Sequence, residues 1–465
     1  MKTLFKMTIC LFLSAGIGLS NSNLSSFYSN FKKNIYSKKQ NTIEKIDLDQ
    51  KRFTRNSKTI NNTNYDEHNS KNRYNSKINT SNYSKLSFWQ KRLKTEKQFE
   101  VYSQMEEKIR KISKKCDSQG NYPIEPIIID GKISKEEVQD AIQVFLNDHV
   151  DVFWIRPEYS SIQTSRYTEL NLFSDRSLKI VEYQKKQIED NVNKILKKIK
   201  PEMTEIEKEK TVHDSIIEKC KYNHNKNSKS IDNYSIYGCL VKDTCVCSGF
   251  SKAVKLIFNK AGIECEVVSG VAGNDDTREN YCKKNSSNYK ISENLSKLNK
   301  LENHMWNITK IERKWYHLDV TWDSSNLISK YNFFNVDDKT IKQSHIPNAK
   351  IEDGKLIFYQ NFLPECYSME NNYYEKFALK TWGSIGYMDE IAQHLYESAL
   401  SDSSLIHIKV ENEDNFDEIK HRLINGLLAE IINTINPGLR NRIKINEVKI
   451  GEFAPQSVLN IGFRQ

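Results

Sequence analysis

Three short stretches place a thiol, an imidazole and a carboxylate where nucleophilic catalysis could use them. They are Cys247 in "CVCSGFSKAVKLIFNKAGIEC", His304 in "HMWNITKI" and Asp319 in "KWYHLDVTWD". In such a set the thiolate attacks an acyl carbon, the imidazole takes and returns the proton, and the carboxylate orients the imidazole. Position matters as much as residue type. Cys247, Phe250, Val254, Ile257 and Ala261 recur at steps of three and four, and Gly262 supplies a stop, so the spacing predicts one helix opening at Cys247. The free amides and dipole of a helix start favour an anion and lower a thiol's pKa. A buried structural cysteine is the competing reading of this stretch alone.

The two later stretches are rich in β-branched and aromatic residues and flank a polar "ER", which predicts a hairpin. If Glu312 and Arg313 form a two-residue turn, His304 lies opposite Thr321, with Asp319 one diagonal step away. If the loop runs from Lys310 to Arg313, His304 lies opposite Asp319. Either register puts imidazole and carboxylate on one face, whereas a three-residue loop would separate them. Parity is taken to turn His317 to the opposite face. Before the hairpin, "IECEVVSG" alternates as a strand does.

The elements around these stretches read as follows. Helical patterns dominate from about Phe88 to Lys200, including "FEVYSQMEEKIRKI" and "ISKEEVQDAIQVFLNDH", the latter opened by a capping box at Ser134 and Glu137. "VDVFWIRPEY" ends that helix, with Phe153 and Trp154 as core anchors. "SLKIVEY" reads as a strand, "QIEDNVNKILKKIK" as a helix stopped by Pro201, and "TEIEKEKTVHDSIIEKCKYN" as a helix capped by Thr204. "YNFFNV" and "KLIFYQNFLPECYS" read as short strands and loops. From about Tyr373 a separate unit begins: a helix from Met388 to Ala399, strand "SLIHIKV", a helix from Asp414 to Ile435, then strands "RIKINEVKI" and "SVLNIGF". That order suggests a small α+β lobe.

The chain has 465 residues, room for two or three domains. Residues 1–20 carry Lys2 and Lys6 before an apolar run from Met7 to Leu19, which is read as a secretory signal peptide cleaved near Ser20 or Ser22. Residues 21–90 hold 14 Asn and 11 Ser but no Gly, Pro, Ala, Val, Cys or Met, so they are read as a disordered tether that cannot bury enough apolar surface to order itself. Of the net charge of +10, the leader holds +2 and the tether +8, which leaves residues 91–465 neutral. The basic character therefore argues for contact of the tether with anionic surface polymer, or for a solvated spacer, and not for specific nucleic-acid binding. Nine cysteines, one of them Cys10 in the leader, show no CxxC pair suggestive of zinc. A metal site built from His213, Cys220 and His224 lacks repeated ligand spacing. The domain reading is 91–200 a mainly helical accessory region, 201–370 the domain holding Cys247, His304 and Asp319, and 371–465 the α+β lobe.

Taken in order, "CVCSGFSKAVKLIFNKAGIECEVVSG" and "HMWNITKIERKWYHLDVTWD" resemble the transglutaminase-like superfamily of papain-like cysteine enzymes. The likeness is greatest to its bacterial branch, whose pattern reads V-C-x-G-[YF]-[AS], H-[AS]-W-N and W-[YH]-x-[VL]-D-x-T-W-D. It runs from about Glu207 to Asp323. The resemblance implies an α+β papain-like core, with a Cys-bearing helix packed on an antiparallel sheet that bears His and Asp. It also implies Cys247 as nucleophile, His304 as base, Asp319 as the residue orienting it, and no cofactor or metal. Such an enzyme forms a thioester with a protein or peptide amide and passes the acyl group to an amine or to water. The backbone amide of Cys247 would donate to the oxyanion, with Tyr237 as a second donor. Trp306 and Trp322 would pack around the hairpin and contact substrate, and Asp323 would stabilise a turn. A silent binding or cell-surface module with the same fold is the alternative function. The chain departs from the pattern at Met305, where a small residue is usual, in the Gly-free turn "IERKW", and in an insertion within 271–303 read as a lid or a disordered loop. Cys245 is left with an inert role or a redox pairing with Cys239.

Overall fold

The computed structural model describes residues 86–464 apart from 157, 226–229, 274–300, 326–327, 353–354, 359–362, 384–385 and 402. The leader at 1–20, nearly all of the tether at 21–90 and most of the insertion within 271–303 lie outside the described residues. Two compact units divide the chain, one ending at Lys376 and one beginning at Phe377.

In the first unit, α1 (Glu96–Lys108) and α2 (Lys135–Asp148) both open on capping boxes, Thr95 with Gln98 and Ser134 with Glu137. The mainly helical reading of 91–200 omits a sheet. Strands β1 (Ile127–Asp130), β2 (Ser160–Gln163) and β3 (Tyr167–Asn171) pair antiparallel in the order β1-β3-β2. Ile127 and Ile129 point inward and Ile128 outward, the period of two that a strand requires. "SLKIVEY" is not a strand but the first turns of α3 (Leu178–Leu196). Ser177 caps it, and the buried stripe is Val181, Ile188, Val192 and Ile195, while Leu178 and Ile180 are exposed. Part of the apolar content that suggested a strand therefore lies on the helix's solvent face.

The elements that position the site follow in sequence. After α4 (Glu205–Lys219), capped by Thr204, come β4 (Lys221–Tyr222), α5 (Ile236–Leu240), β5 (Thr244–Cys245) and α6 (Cys247–Lys260). Next are β6 (Glu264–Ala272), β7 (Glu302–Ile311), β8 (Lys314–Leu318), the single turn α7 (Val320–Asp323) and β9 (His345–Pro347). The sheet runs β8-β7-β6-β9 with all neighbours antiparallel. Helix α6 packs on β6 and β7 through Phe250, Ala253, Val254, Ile257 and Phe258, all without solvent exposure. At about 1.5–3 kcal/mol for each large apolar side chain, this face anchors the helix to the sheet. "YNFFNV" forms turns instead of a strand, because Tyr331, Phe333 and Phe334 bury their rings and only Val336 bridges to the sheet, at His317. Strands β10 (Ala349–Glu352) and β11 (Lys355–Phe358) make a short hairpin.

The second unit is a four-stranded sheet with helices. Strands β12 (Leu379–Thr381), β13 (Leu405–Val410), β14 (Lys449–Phe453) and β15 (Val458–Gly462) lie in the order β12-β13-β15-β14. Helices α8 (Tyr387–Leu400), α9 (Phe416–Arg422) and α10 (Leu428–Ile435) supply the rest of its core, including Ile391, Leu395, Ile419 and Ile431. Only the end of "RIKINEVKI" is strand, since Ile445–Glu447 forms a 3-10 turn. Among the described residues no helix is long and apolar enough to cross a membrane.

Candidate active site

The hairpin turns at Glu312 and Arg313, with Ile311 paired to Lys314. Both turn residues have positive φ, 49° and 69°, the conformation in which glycine is usual. Neighbours compensate: the Glu312 N–H donates to Glu205 Oε2 at 2.6 Å, and Asn371 Nδ2 donates to Glu312 Oε2 at 3.1 Å. The last pair of the ladder is Leu318 with Asn307. Asp319 follows one residue later, on the face that carries His304 and Trp306. In this register odd residues of β8 share a face with even residues of β7. His317, opposite Ile308, is therefore on the same face as His304, not the opposite one. The parity expected for His317 fails because a two-residue turn joins residues of unlike parity.

His304 Nε2 donates to Asp319 Oδ2 at 2.7 Å. The same oxygen accepts from His345 Nε2 at 3.0 Å, while Asp319 Oδ1 accepts the N–H groups of Thr321 and Trp322 at 2.9 and 3.1 Å. Asp319 is thus the N-cap of α7 as well as the partner of two imidazoles. On its other side His304 neighbours Cys247, which also raises the pKa of the imidazole. With Nε2 spent on Asp319, Nδ1 is the nitrogen left for the sulfur. Burial pulls the His304 imidazole down, but the Asp319 charge and hydrogen bond, joined by Cys247, outweigh it and push its pKa up to about 10. Asp319 is held well below the usual carboxylate range: burial would raise it, and its two imidazole partners more than reverse that. His345 stays neutral, because burial lowers it to about 4 despite Asp319. Its Nε2–H therefore donates, and Nδ1 lies 2.8 Å from Ser344 Oγ.

Two side chains hold the helix and the strand in register. Ser251 Oγ lies 2.9 Å from the carbonyl of Cys247 and 2.8 Å from that of Met305, next to His304. Asn307 Nδ2 donates to the carbonyls of Ser251 on α6 and Glu266 on β6, at 3.0 and 3.2 Å. Gly270 is opposite His304 in the β6–β7 ladder, and a Cβ there would come 2.6 Å from the Trp306 ring and 2.3 Å from the Ile346 carbonyl. The ring of Trp306 lies nearly parallel to His304, 6.0 Å away, and its Nε1–H donates to His317 Nδ1 at 3.1 Å. His317 Nε2 in turn donates to Asp338 Oδ1 at 2.8 Å.

The structure thus brings Cys247, His304 and Asp319 together. Trp306 is fully buried, which makes it a packing residue and not the substrate contact expected of it. Trp322 is partly exposed and lies against His345 and Phe333, with centroids 4.5 and 5.2 Å away. Tyr237 does not serve as an oxyanion donor through its side chain. Its hydroxyl donates to Gln187 of α3 at 3.2 Å and its ring stacks on Phe153. Asp323 ties α7 down, accepting from His213 Nε2 at 3.1 Å and from the Phe333 N–H at 2.9 Å. The alternative metal set is not assembled, since His213 lies between Asp214 and Asp323 while Cys220 joins Cys239 and Cys245. His345 was missed by sequence reasoning, and "SHIP" carries no local signal for it. Ser251 and Asn307 stand inside the quoted motifs and could have been found there. Tyr222 was also missed; burial and the nearby Cys247 push its phenol up.

Residues 193–320, which include Cys247, His304 and Asp319, match the family model of the Transglutaminase-like superfamily. This part of the chain is a transglutaminase-like domain with a mixed α+β fold. Among the solved structures similar to the chain are these two. One is described as a TGase, at 14% identity and TM-score 0.21 over 42% of this chain and 50% of that one. The other is a candidate cysteine protease from Cytophaga hutchinsonii, at 11% identity and TM-score 0.21 over 45% of this chain and 70% of that one. The chain spans about half the length of the first. No curated protein matches it.

Proposed function

We propose that the chain is a cysteine enzyme acting on protein or peptide amides. Cys247 Sγ attacks the amide carbon, the oxyanion is met by the Cys247 backbone N–H, and the His304 imidazolium gives its proton to the departing amine. The resulting thioester passes its acyl group to a primary amine or to water, with His304 now taking the proton of the incoming nucleophile. Asp319 holds the imidazole in one orientation throughout and stabilises its charge in the steps where the ring carries both protons. The observation carrying this reading is the line from Cys247 through His304 to Asp319, closed by a 2.7 Å hydrogen bond to a buried carboxylate. An apolar leader and a basic tether support action outside the cytoplasm, with the tether resting on anionic surface polymer; cell fractionation tests that part.

The experiment is mass spectrometry of a glutamine peptide incubated with the protein, with and without a primary amine, beside Cys247→Ala. Deamidation, amine incorporation or cleavage that disappears in the variant supports the enzyme. Products equal in both proteins, or none in either, overturn it.

A further inference from the structure

Three thiols that the proposed reaction does not use meet behind the nucleophile. Cys220 closes α4, Cys239 lies in α5, and Cys245 ends β5 two residues before Cys247. All three are buried, and their sulfurs lie within 4.8 Å of one another. The sulfurs of Cys220 and Cys245 approach to 3.5 Å. That contact is not the Cys239–Cys245 pairing suggested by the sequence.

The backbone brings the two segments together, with Cys220 just before the ladder and diagonal to Cys245. Tyr222 pairs with Cys245 in the β4–β5 ladder, and the Asn223 N–H donates to the Cys245 carbonyl at 2.8 Å. The first turn of α6 rests on the same sulfur: a Cβ at Gly249 would come 2.6 Å from Cys245 Cβ and 2.8 Å from its Sγ. That turn also lacks a capping side chain, since Val246 at its N-cap offers none. The segment presenting the nucleophile is therefore held from behind, by β5 and its cysteine.

We propose that Cys220 and Cys245 form a disulfide, with Cys239 remaining a thiol, which ties the end of α4 to the segment that presents Cys247. The sulfurs need close by only about 1.5 Å to reach a normal S–S bond. Two thiols lose their protons and together pass two electrons to an external disulfide, which leaves as two thiols. The product is neutral. Three thiolates around one soft cation would instead leave net negative charge in a buried site, and Lys219, the cation beside Cys220, is already paired with Asp243 at 2.5 Å. Charge therefore favours the disulfide over a metal.

The test uses the full-length protein equilibrated with glutathione disulfide, then denatured, blocked with N-ethylmaleimide and digested with trypsin. Cleavage at Lys221 and Lys242 puts Cys220, Cys239 and Cys245 on separate peptides, the last also carrying Cys247. The expected result is a Cys220 peptide linked to the Cys245 peptide, two hydrogens lighter than the separate thiols. Fragmentation should place the bond on Cys245, with maleimide on Cys239 and Cys247. The link should survive Cys239→Ser, and its reduction should lower the unfolding midpoint by roughly 5–10 °C. Maleimide on all three thiols, a bond through Cys239 or Cys247, or a metal retained by the three sulfurs would each overturn the proposal. The readout needs no turnover, so a catalytically silent protein carrying this bond would leave it intact.

Discussion

Asp319→Asn is a near-isosteric change that attacks the site through its proton positions. The carboxylate now receives four donors: two backbone N–H groups on Oδ1 and the Nε2 atoms of His304 and His345 on Oδ2. An asparagine that keeps its oxygen on the backbone amides turns its NH₂ toward both imidazoles. Each donor–donor contact is relieved only if the ring moves its proton to Nδ1. For His304 that places an N–H against Cys247 on a neutral ring, which can no longer take the thiol's proton. With the negative charge gone, burial also dominates and drives the imidazole's pKa below its ordinary value instead of up to about 10. A thiol without a cationic partner is less than about 1% thiolate at pH 6. The rate of Cys247 alkylation by iodoacetamide at pH 6 should therefore fall on the order of 10²-fold. It is read on the Cys247 peptide because Cys116 is an exposed thiol. Stability gives a second readout. A histidine whose folded pKa is raised contributes stability that is complete below about pH 6.5 and lost as pH climbs through about 10. Wild type should lose stability over that window, and the variant should not. Superimposable alkylation profiles in two folded proteins would refute the reasoning.

Three other changes probe the scaffold. Asn307→Ala leaves the Ser251 and Glu266 carbonyls without their side-chain donor in a buried place, and should cost about 2–4 kcal/mol in a denaturant melt. Gly270→Ala drives a methyl into the Trp306 ring and the Ile346 carbonyl, so a loss of about 1–3 kcal/mol should accompany a change in tryptophan fluorescence and slower Cys247 alkylation. Glu209 is buried on α4, and that burial pushes its carboxyl up to about 8 against the Asn335 hydrogen bond and the His213 charge. Because its folded pKa exceeds the ordinary 4.5, ionisation opposes folding increasingly from pH 4.5 to about 8 and by a constant amount above. Glu209→Gln should be more stable than wild type by about 3 kcal/mol at pH 7 and equal to it near pH 4, which melts at the two pH values would check.

What the sequence by itself determined is local. Helix α6 opens at Cys247 because apolar spacing, a helix start and Gly262 all lie within one stretch. Thr204 and Ser134 cap their helices through side chains that reach only three residues on. The hairpin's two-residue turn was one of two registers that strand alternation allowed, and both put Asp319 beside His304. Tertiary structure decided the rest. The "SLKIVEY" segment is helix because only packing reveals which of its apolar residues face inward. Trp306 is buried by β9 and Gly270, and Tyr237 by contacts with α3 and Phe153. His345 reaches Asp319 from a strand 26 residues later in the chain, and Cys220 meets Cys245 across 25. No periodicity within a short stretch encodes such meetings, because they depend on how separate elements pack.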